Sequence, residues 1–386
     1  MLRVIIGGGM SGLVCAIASA KCGYSVTLLE KNLRVGKKIS ATGNGKCNLY
    51  NLNPSGCYND NNFVANLLSR YSVEEVKAFF KSIGIFTYED SNGRGYPITD
   101  NANSVVDCLR TTASRLGVSI CYQTALAVDS RPDGTFVVTT DTDKHVCNQV
   151  VLACGSGSQA QLPNVSKIVP STYFTPTSPS LVPIKIVDMP KILNGLRLKT
   201  TAQLLQDGNV VQAMQGEVQF KDYGLSGICV MDLSAQIARN TVNGCKHNYQ
   251  IMLDLCPHLT SSQLQQVLST RIANGVPANQ LFYGILHNKM AEFVMSFGKT
   301  EVQNIAYHVK NCTFNVEKLL GYELSQVTAG GIQTQLLSPN MQLPNGIYAV
   351  GEILNVDGNC GGYNLLFATL SALCTLPQSK KDTILN

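Results

Sequence analysis

The sequence predicts an α/β fold in which a parallel sheet is assembled from both ends of the chain and a separate segment is inserted between them. Three observations predict it. The opening thirty residues run as apolar strand, glycine-rich turn, alanine-rich helix and second apolar strand. After about residue 180 the texture changes to longer alternating stretches. Strand-plus-glycine features then return at Gly346-Ile347-Tyr348-Ala349-Val350-Gly351-Glu352.

Leu2–Ile6 and Val26–Glu30 read as buried parallel strands, with Ser11–Cys22 as crossover helix and Gly23 as its stop. Between strand and helix, Gly7, Gly9 and Gly12 carry the G-x-G-x-x-G spacing, and Glu30 follows eighteen positions after the last glycine. Gly7 permits the tight turn, Gly9 the approach of backbone to a pyrophosphate, and Gly12 close helix–strand packing. The helix N-terminus offers free N–H groups to phosphates, and Glu30 accepts from ribose hydroxyls. This is a dinucleotide-binding, Rossmann-like unit.

Ser72-Val73-Glu74-Glu75 is a capping box that opens a helix closed by Gly84. Ser104–Leu116 reads as an amphipathic helix and Ser119–Gln123 as a strand. Leu126–Ser130 and Phe136–Thr140 form a hairpin around Pro132-Asp133-Gly134, and Val150–Ala153 is a short buried strand. Beyond it, Leu198–Asp207 and Val210–Phe220 pair around Asp207-Gly208. Ser261–Ala273 is a capped helix, with further helix around Ala291–Phe297.

The chain has 386 residues, 45% hydrophobic and 14% charged, which excludes a disordered chain; the formal charge of +5 decides neither for nor against an anionic partner. No apolar run reaches the length of a membrane span, and with the N-terminus itself read as the first strand a cleaved signal peptide is not expected. The fourteen cysteines form no CxxC pair, so buried free thiols in a reducing cytoplasm are expected, with no metal site.

A nucleotide fold can hold NAD or FAD. The segment Gly36–Asn48, rich in glycine, small hydroxyls and lysine, suits a loop wrapped around a pyrophosphate and ribityl chain; its candidate contacts include Lys37, Lys38, Thr42, Gly43, Asn44, Gly45, Cys47 and Asn48. At the other end Gly351-Glu352 and Asp357 place carboxylates near the cofactor. The helix opening at Gly361, Gly362, Tyr363 and Asn364 aims its dipole at the flavin pyrimidine edge. Two such motifs at opposite ends favour FAD. Gly155-Ser156-Gly157 is a poor second fingerprint, so any nicotinamide donor binds transiently.

With these motifs the chain resembles the BaiN/YhiN-type NAD(P)/FAD-dependent oxidoreductases, also known as aminoacetone oxidase-like flavoproteins. The matching segments are Gly7–Leu13, Gly36–Asn51, Gly93–Pro97, Pro179–Pro183, Gly216–Ser234, Thr328–Ile332 and Gly351–Leu365. The resemblance implies an FAD domain of glutathione-reductase-like topology with an inserted β-barrel-plus-helix substrate domain; the expected bounds are 1–182 and 325–386 for the FAD domain and 183–324 for the insertion, β-rich over 183–257 and helical over 258–310. It maps FAD contacts onto Gly9, Ser11, Gly12, Glu30, Lys31, Lys38, Thr42, Gly43, Asn48, Gly155, Gly351, Glu352 and Gly362 to Leu365. Met10, at the start of the crossover helix, and Ala127, in the hairpin, complete the candidate set. The chain departs from the family pattern at Ala153-Cys154-Gly155-Ser156, where Ala-Thr-Gly-Gly is usual, at Lys46 for an arginine and at Tyr50 for a threonine.

None of the five histidines sits in a motif with a partner. Tyr96, Tyr223 and Tyr363 are the candidate proton donors, since a tyrosine can protonate a developing enolate. The expected function is hydride transfer through flavin N5, reducing an activated C=C bond of a steroid-like or other enone with NAD(P)H. A flavin-dependent amine or aminoketone oxidase using O2, an FAD-dependent tRNA-modifying protein and a low-turnover flavin-binding protein remain alternatives. Dispersed lysines and arginines argue against a nucleic-acid partner.

Overall fold

Strand Leu2–Ile6 is buried from its second residue onward, as a run of β-branched and aliphatic side chains requires of a central parallel strand. In a computed structural model, which describes residues 1–156, 168–297 and 301–386, this strand pairs in parallel with Ser25–Leu29 on one side and Gln149–Leu152 on the other. Tyr348–Ala349 and Ser119–Cys121 complete a five-stranded parallel sheet. The crossover helix spans Met10–Lys21, and all of Met10 to Ser19 is buried. Gly157 lies outside the described residues.

The chain divides into two units, Met1–Ser178 with Gln326–Asn386, and Pro179–Ser325. The first holds the parallel sheet and two antiparallel sheets. One is Ala125–Ser130, Phe136–Thr140 and Lys144–Cys147; the other runs in the order Tyr50–Asn51, Arg94–Pro97, Thr87–Glu89. Helix Val73–Ser82 carries the capping box, with Glu75 N–H on the Ser72 hydroxyl and the Glu75 carboxylate returned to Ser72. Arg3 is fully buried. Its guanidinium donates to Gln149 and to the Ser19 hydroxyl at 2.8 Å, and lies 4.5 Å from the Tyr24 ring centroid and 5.4 Å from that of Tyr348. Neutral acceptors and two aromatic faces take the place of a carboxylate around this cation.

The second unit is a closed six-stranded barrel, ordered Ile184–Ile186, Gly224–Ser226, Asn209–Phe220, Arg197–Gln206, Tyr249–Leu253, Cys312–Leu319. Its long hairpin turns at Asp207-Gly208, where both residues have positive φ (50° and 84°), the conformation a two-residue primed turn requires. Two features differ from the expectation of a β-rich stretch over 183–257 followed by a helical one over 258–310. Helix Ile228–Val242 lies within the first stretch, and the closing strand Cys312–Leu319 comes after the helices Ser261–Ala273, Asn288–Met295 and Val302–Lys310. Closing the barrel needs that last strand, because Cys312–Leu319 joins Tyr249–Leu253 to Ile184–Ile186. Among the described residues no helix is long and apolar enough to cross a membrane.

Candidate cofactor and active site

Three glycines of the opening turn have different neighbours. Gly7 has φ 110° and a side chain there would meet the Ala153 carbonyl at 2.4 Å; one at Gly12 would meet the Gly7 carbonyl at 1.8 Å. A side chain on Gly9 would meet nothing within 4 Å. The protein therefore dictates glycine at positions 7 and 12, whereas position 9 opens a cradle beside the N-terminus of Met10–Lys21. That helix has no side-chain cap, so the first-turn N–H groups of Met10, Ser11 and Gly12 face the cradle.

Glu30 closes the strand Ser25–Leu29 with a carboxylate only 7% exposed. It accepts from Gly8 N–H at 2.8 Å and from Asn32 N–H at 2.8 Å. A buried carboxylate held by backbone donors at the end of the second strand fits the ribose-binding acid of a dinucleotide fold. Lys31, the next residue, and Lys37 are exposed.

The loop after Lys38 is kinked: Thr42 is extended, and Gly43 (φ 56°) and Asn44 (φ 54°) are left-handed, ahead of Gly45. Lys38 is ion-paired with Glu352, which also accepts from the Ser156 hydroxyl at 2.6 Å and from Thr328 N–H at 3.2 Å. Ser156 occupies the position where the family pattern has glycine, and here it holds Glu352. Gly155, with φ 70°, has nothing within 4 Å of a would-be side chain. Cys47 is buried, and burial pushes its thiol up to about 12, so it packs as a protonated thiol and is no nucleophile.

Helix Tyr363–Leu373 starts from Gly362, which is left-handed (φ 97°) and has no side-chain cap. A side chain at Gly362 would meet the Tyr50 carbonyl at 2.3 Å and Asn48 Oδ1 at 2.6 Å. That Asn48 oxygen is buried and has no hydrogen-bond partner among the described residues. Asn364 staples the preceding loop, accepting from Gly358 N–H and donating to Gly358 O, both at 2.9 Å. The Tyr58 hydroxyl donates to Tyr363 O at 2.9 Å, with the two rings edge to face. Asp357 is fully buried, its N–H on Asn59 Oδ1; Leu365 is half-buried. The Ser11 hydroxyl lies where a Gly351 side chain would stand, so Gly351 brings the two ends of the chain together.

The open cradle at Gly9, the buried Glu30, the partnerless Asn48 oxygen and two uncapped helix N-termini fit a flavin dinucleotide. Ala127 lies apart from this cluster in sequence, on the strand Ala125–Ser130 opposite Thr139. Of the candidate proton donors, Tyr96 and Tyr363 belong to the first unit. The Tyr96 ring is 3.8 Å from a would-be Gly43 side chain, and the Tyr363 ring 3.5 Å from one on Gly361. Tyr223 belongs to the barrel unit, in the turn before Gly224. Arg94, inside the Gly93–Pro97 motif, was not singled out by the sequence, yet its Nε is 3.2 Å from a would-be Gly361 side chain. Strand alternation in Arg94-Gly95-Tyr96 is the signal that points to it.

Residues 2–375 match the family model described as the HI0933-like protein Rossmann domain. A 3-dehydro-bile acid delta(4,6)-reductase from Clostridium scindens is 30% identical, over 94% of this chain and 95% of the relative. Ribosomal RNA dihydrouridine synthases are also similar: that of Haemophilus influenzae is 26% identical over 98% of both chains, and that of Escherichia coli 24% identical over 96% of this chain and 95% of the relative. The chain thus belongs to the HI0933-like, BaiN/YhiN-type family of FAD-dependent oxidoreductases.

Proposed function

We propose that the protein reduces a carbon–carbon double bond conjugated with a carbonyl group, with NAD(P)H as the electron source. The observation that carries this reading is what two relatives' names share. In a 3-dehydro-bile acid the delta(4,6) double bonds extend from a ring ketone, and the bond saturated in dihydrouridine lies next to a ring carbonyl. Saturating the bond next to the carbonyl adds hydride to the β-carbon and a proton to the α-carbon in both; the outer bond of the dienone is the vinylogous case, with hydride at the δ-carbon. The flavin supplies hydride at N5.

The residues divide the remaining work. Gly9, the first N–H groups of Met10–Lys21 and Glu30 hold the adenosine diphosphate half. Lys38 and Glu352 face the middle of the cofactor, and Asn48 with the Gly361-Gly362 turn holds the ring end. Tyr96 gives the α-carbon its proton: its hydroxyl has no hydrogen-bond partner among the described residues, and its ring lies beside the Gly43 loop. Fourteen free cysteines suit a reducing cytoplasm.

A second reading keeps the chemistry and changes the substrate to uridine within RNA. The relative that covers 98% of this chain favours it. One experiment separates the readings. Anaerobic NADH or NADPH should bleach the flavin band, and reoxidation is then followed with a steroid 4-en-3-one or with a uridine-containing RNA. Failure to bleach removes the nicotinamide donor, and reoxidation only by O2 after reduction by an amine would establish the oxidase alternative.

A further inference from the structure

The small sheet Tyr50–Asn51, Arg94–Pro97, Thr87–Glu89 presents two faces. Tyr50 stands opposite Gly95, and Tyr88 opposite Tyr96. Alternation therefore puts Asn51, Arg94, Tyr96 and Tyr88 on one face, and Phe86 and Ile98, joined by an N–H···O bond of 2.9 Å, continue it. This face meets both loops of the cofactor cluster. Asn51 donates to the Gly361 carbonyl at 3.0 Å, Tyr96 borders Gly43, and the Arg94 side chain lies against the Gly361 Cα. Away from the loops it is open, with Phe86 53% exposed, Tyr88 38% and Ile98 64%, and the Tyr88 hydroxyl at its margin donates to Asp100 at 2.7 Å.

Arg94 is the unusual member. Arg94 is half-buried, and among the described residues its guanidinium has no carboxylate and no hydrogen-bond acceptor. A guanidinium without a counter-charge is a rigid fork of donors suited to an oxygen bearing negative charge. Here it stands at the head of an aromatic strip, next to the turn that opens the helix Tyr363–Leu373. A flat unsaturated ring with a carbonyl at one end matches that layout: the ring on Tyr96 and Tyr88, the oxygen on the guanidinium.

We infer that Arg94 is the ligand of the substrate's carbonyl oxygen and that the Tyr96–Tyr88 strip is the bed for its ring. This rests on the conjugate-reduction reading. In that reaction a C–H bond forms at the β-carbon, the π pair moves onto the carbonyl oxygen, and a proton at the α-carbon restores the ketone. The two electrons come from the nicotinamide donor. Arg94 holds the oxygen while it carries the charge. A steroid ring and a uracil share this unsaturated carbonyl.

The test uses the flavin-loaded full chain and its Arg94→Gln and Arg94→Lys variants, with retained flavin as the check that each folds. 4-Nitrophenol, a planar molecule whose anion mimics the enolate, is titrated while bound. The wild type should lower its pKa by about one unit or more, a tenfold preference for the anion. Arg94→Gln should lose that shift and Arg94→Lys keep part of it. In turnover, Arg94→Gln should slow substrate reduction about 100-fold, the scale of losing one oxyanion ligand, and far more than it slows flavin reduction by NAD(P)H. A steroid 4-en-3-one and a uridine oligonucleotide, run in parallel, decide which ring is taken. The inference is overturned if 4-nitrophenol fails to bind the wild type, or if its bound pKa is the same in Arg94→Gln. A wild type that reduces neither ring refutes the reductase reading, and the 4-nitrophenol titration still decides the role of Arg94.

Discussion

The two faces of the Tyr50–Arg94–Thr87 sheet are built from similar residues and do opposite things. On one face the Tyr50 ring is fully buried beneath Gly95, where a side chain would stand 2.3 Å from it. Its hydroxyl bonds to Thr87 at 2.6 Å and Glu89 at 2.8 Å, and Lys77 pairs with Glu89 at 2.9 Å. Burial, the larger cause, and the Glu89 carboxylate hold this phenol protonated far above its ordinary range. On the other face the Tyr96 hydroxyl and the Arg94 guanidinium have no such partners among the described residues. Tyr50, buried with its hydroxyl held by two partners, is part of the scaffold, whereas Tyr96 keeps a hydroxyl that can meet a ligand.

Substitutions can break this contrast. Gly95→Val drives a branched side chain into the Tyr50 ring and should destabilise the chain by about 3 kcal/mol, read as a lowered midpoint in thermal unfolding. Tyr96→Phe, on the opposite face of the same strand, should leave that midpoint in place and slow turnover about 100-fold, the contribution of one general acid. Equal stability losses in the two variants would erase the distinction between the faces.

Removing only the hydroxyl sharpens it further. Tyr50→Phe leaves Thr87 and Glu89 without their phenol and should cost about 1–2 kcal/mol in denaturant unfolding, with flavin content unchanged. Lys77→Met gives the smallest effect, and pH reveals it. Its ion pair with Lys77, and then the Tyr50 hydroxyl, hold the Glu89 carboxyl below its ordinary range. A carboxyl lowered in the folded state contributes stability above its unfolded pKa and loses it as pH falls through the folded value. Wild type and Lys77→Met should therefore differ near neutrality and draw together as pH falls below the ordinary carboxylate value; a difference that does not shrink between neutrality and pH ~2 would exclude Glu89 as its source.

The sequence was most legible where local chemistry repeats a strong pattern. The opening strand, turn and helix, the Ser72 capping box, the Pro132–Gly134 hairpin and the Asp207-Gly208 turn are each determined by neighbouring residues, and each is present. Helix Ile228–Val242 was not legible. It begins at Gly227 without a side-chain cap, and Ile228-Cys229-Val230-Met231 reads equally well as a strand. The Tyr50–Asn51 and Thr87–Glu89 strands, of two and three residues, are too short for alternation to show. That is why Arg94 went unnoticed: its neighbours on the outer face come from three separate strands, and only their pairing brings them together. In the cofactor cluster, glycine spacing revealed Gly7, Gly9, Gly12 and Glu30, while the Ser156–Glu352–Lys38 group joins residues far apart in sequence and needed the fold.

The buried Arg3 also sets an order of events during synthesis. Its guanidinium reaches Thr375, 372 positions further on, and its strand pairs with Gln149–Leu152. At ribosomal speeds the first strand waits roughly 20–75 s for that last partner. The barrel unit is one uninterrupted stretch, so every strand of it has left the ribosome before the helix Tyr363–Leu373 exists. A nascent chain stalled in that interval presents an unfinished parallel sheet with aliphatic strands uncovered, the kind of surface that chaperones and proteases recognise.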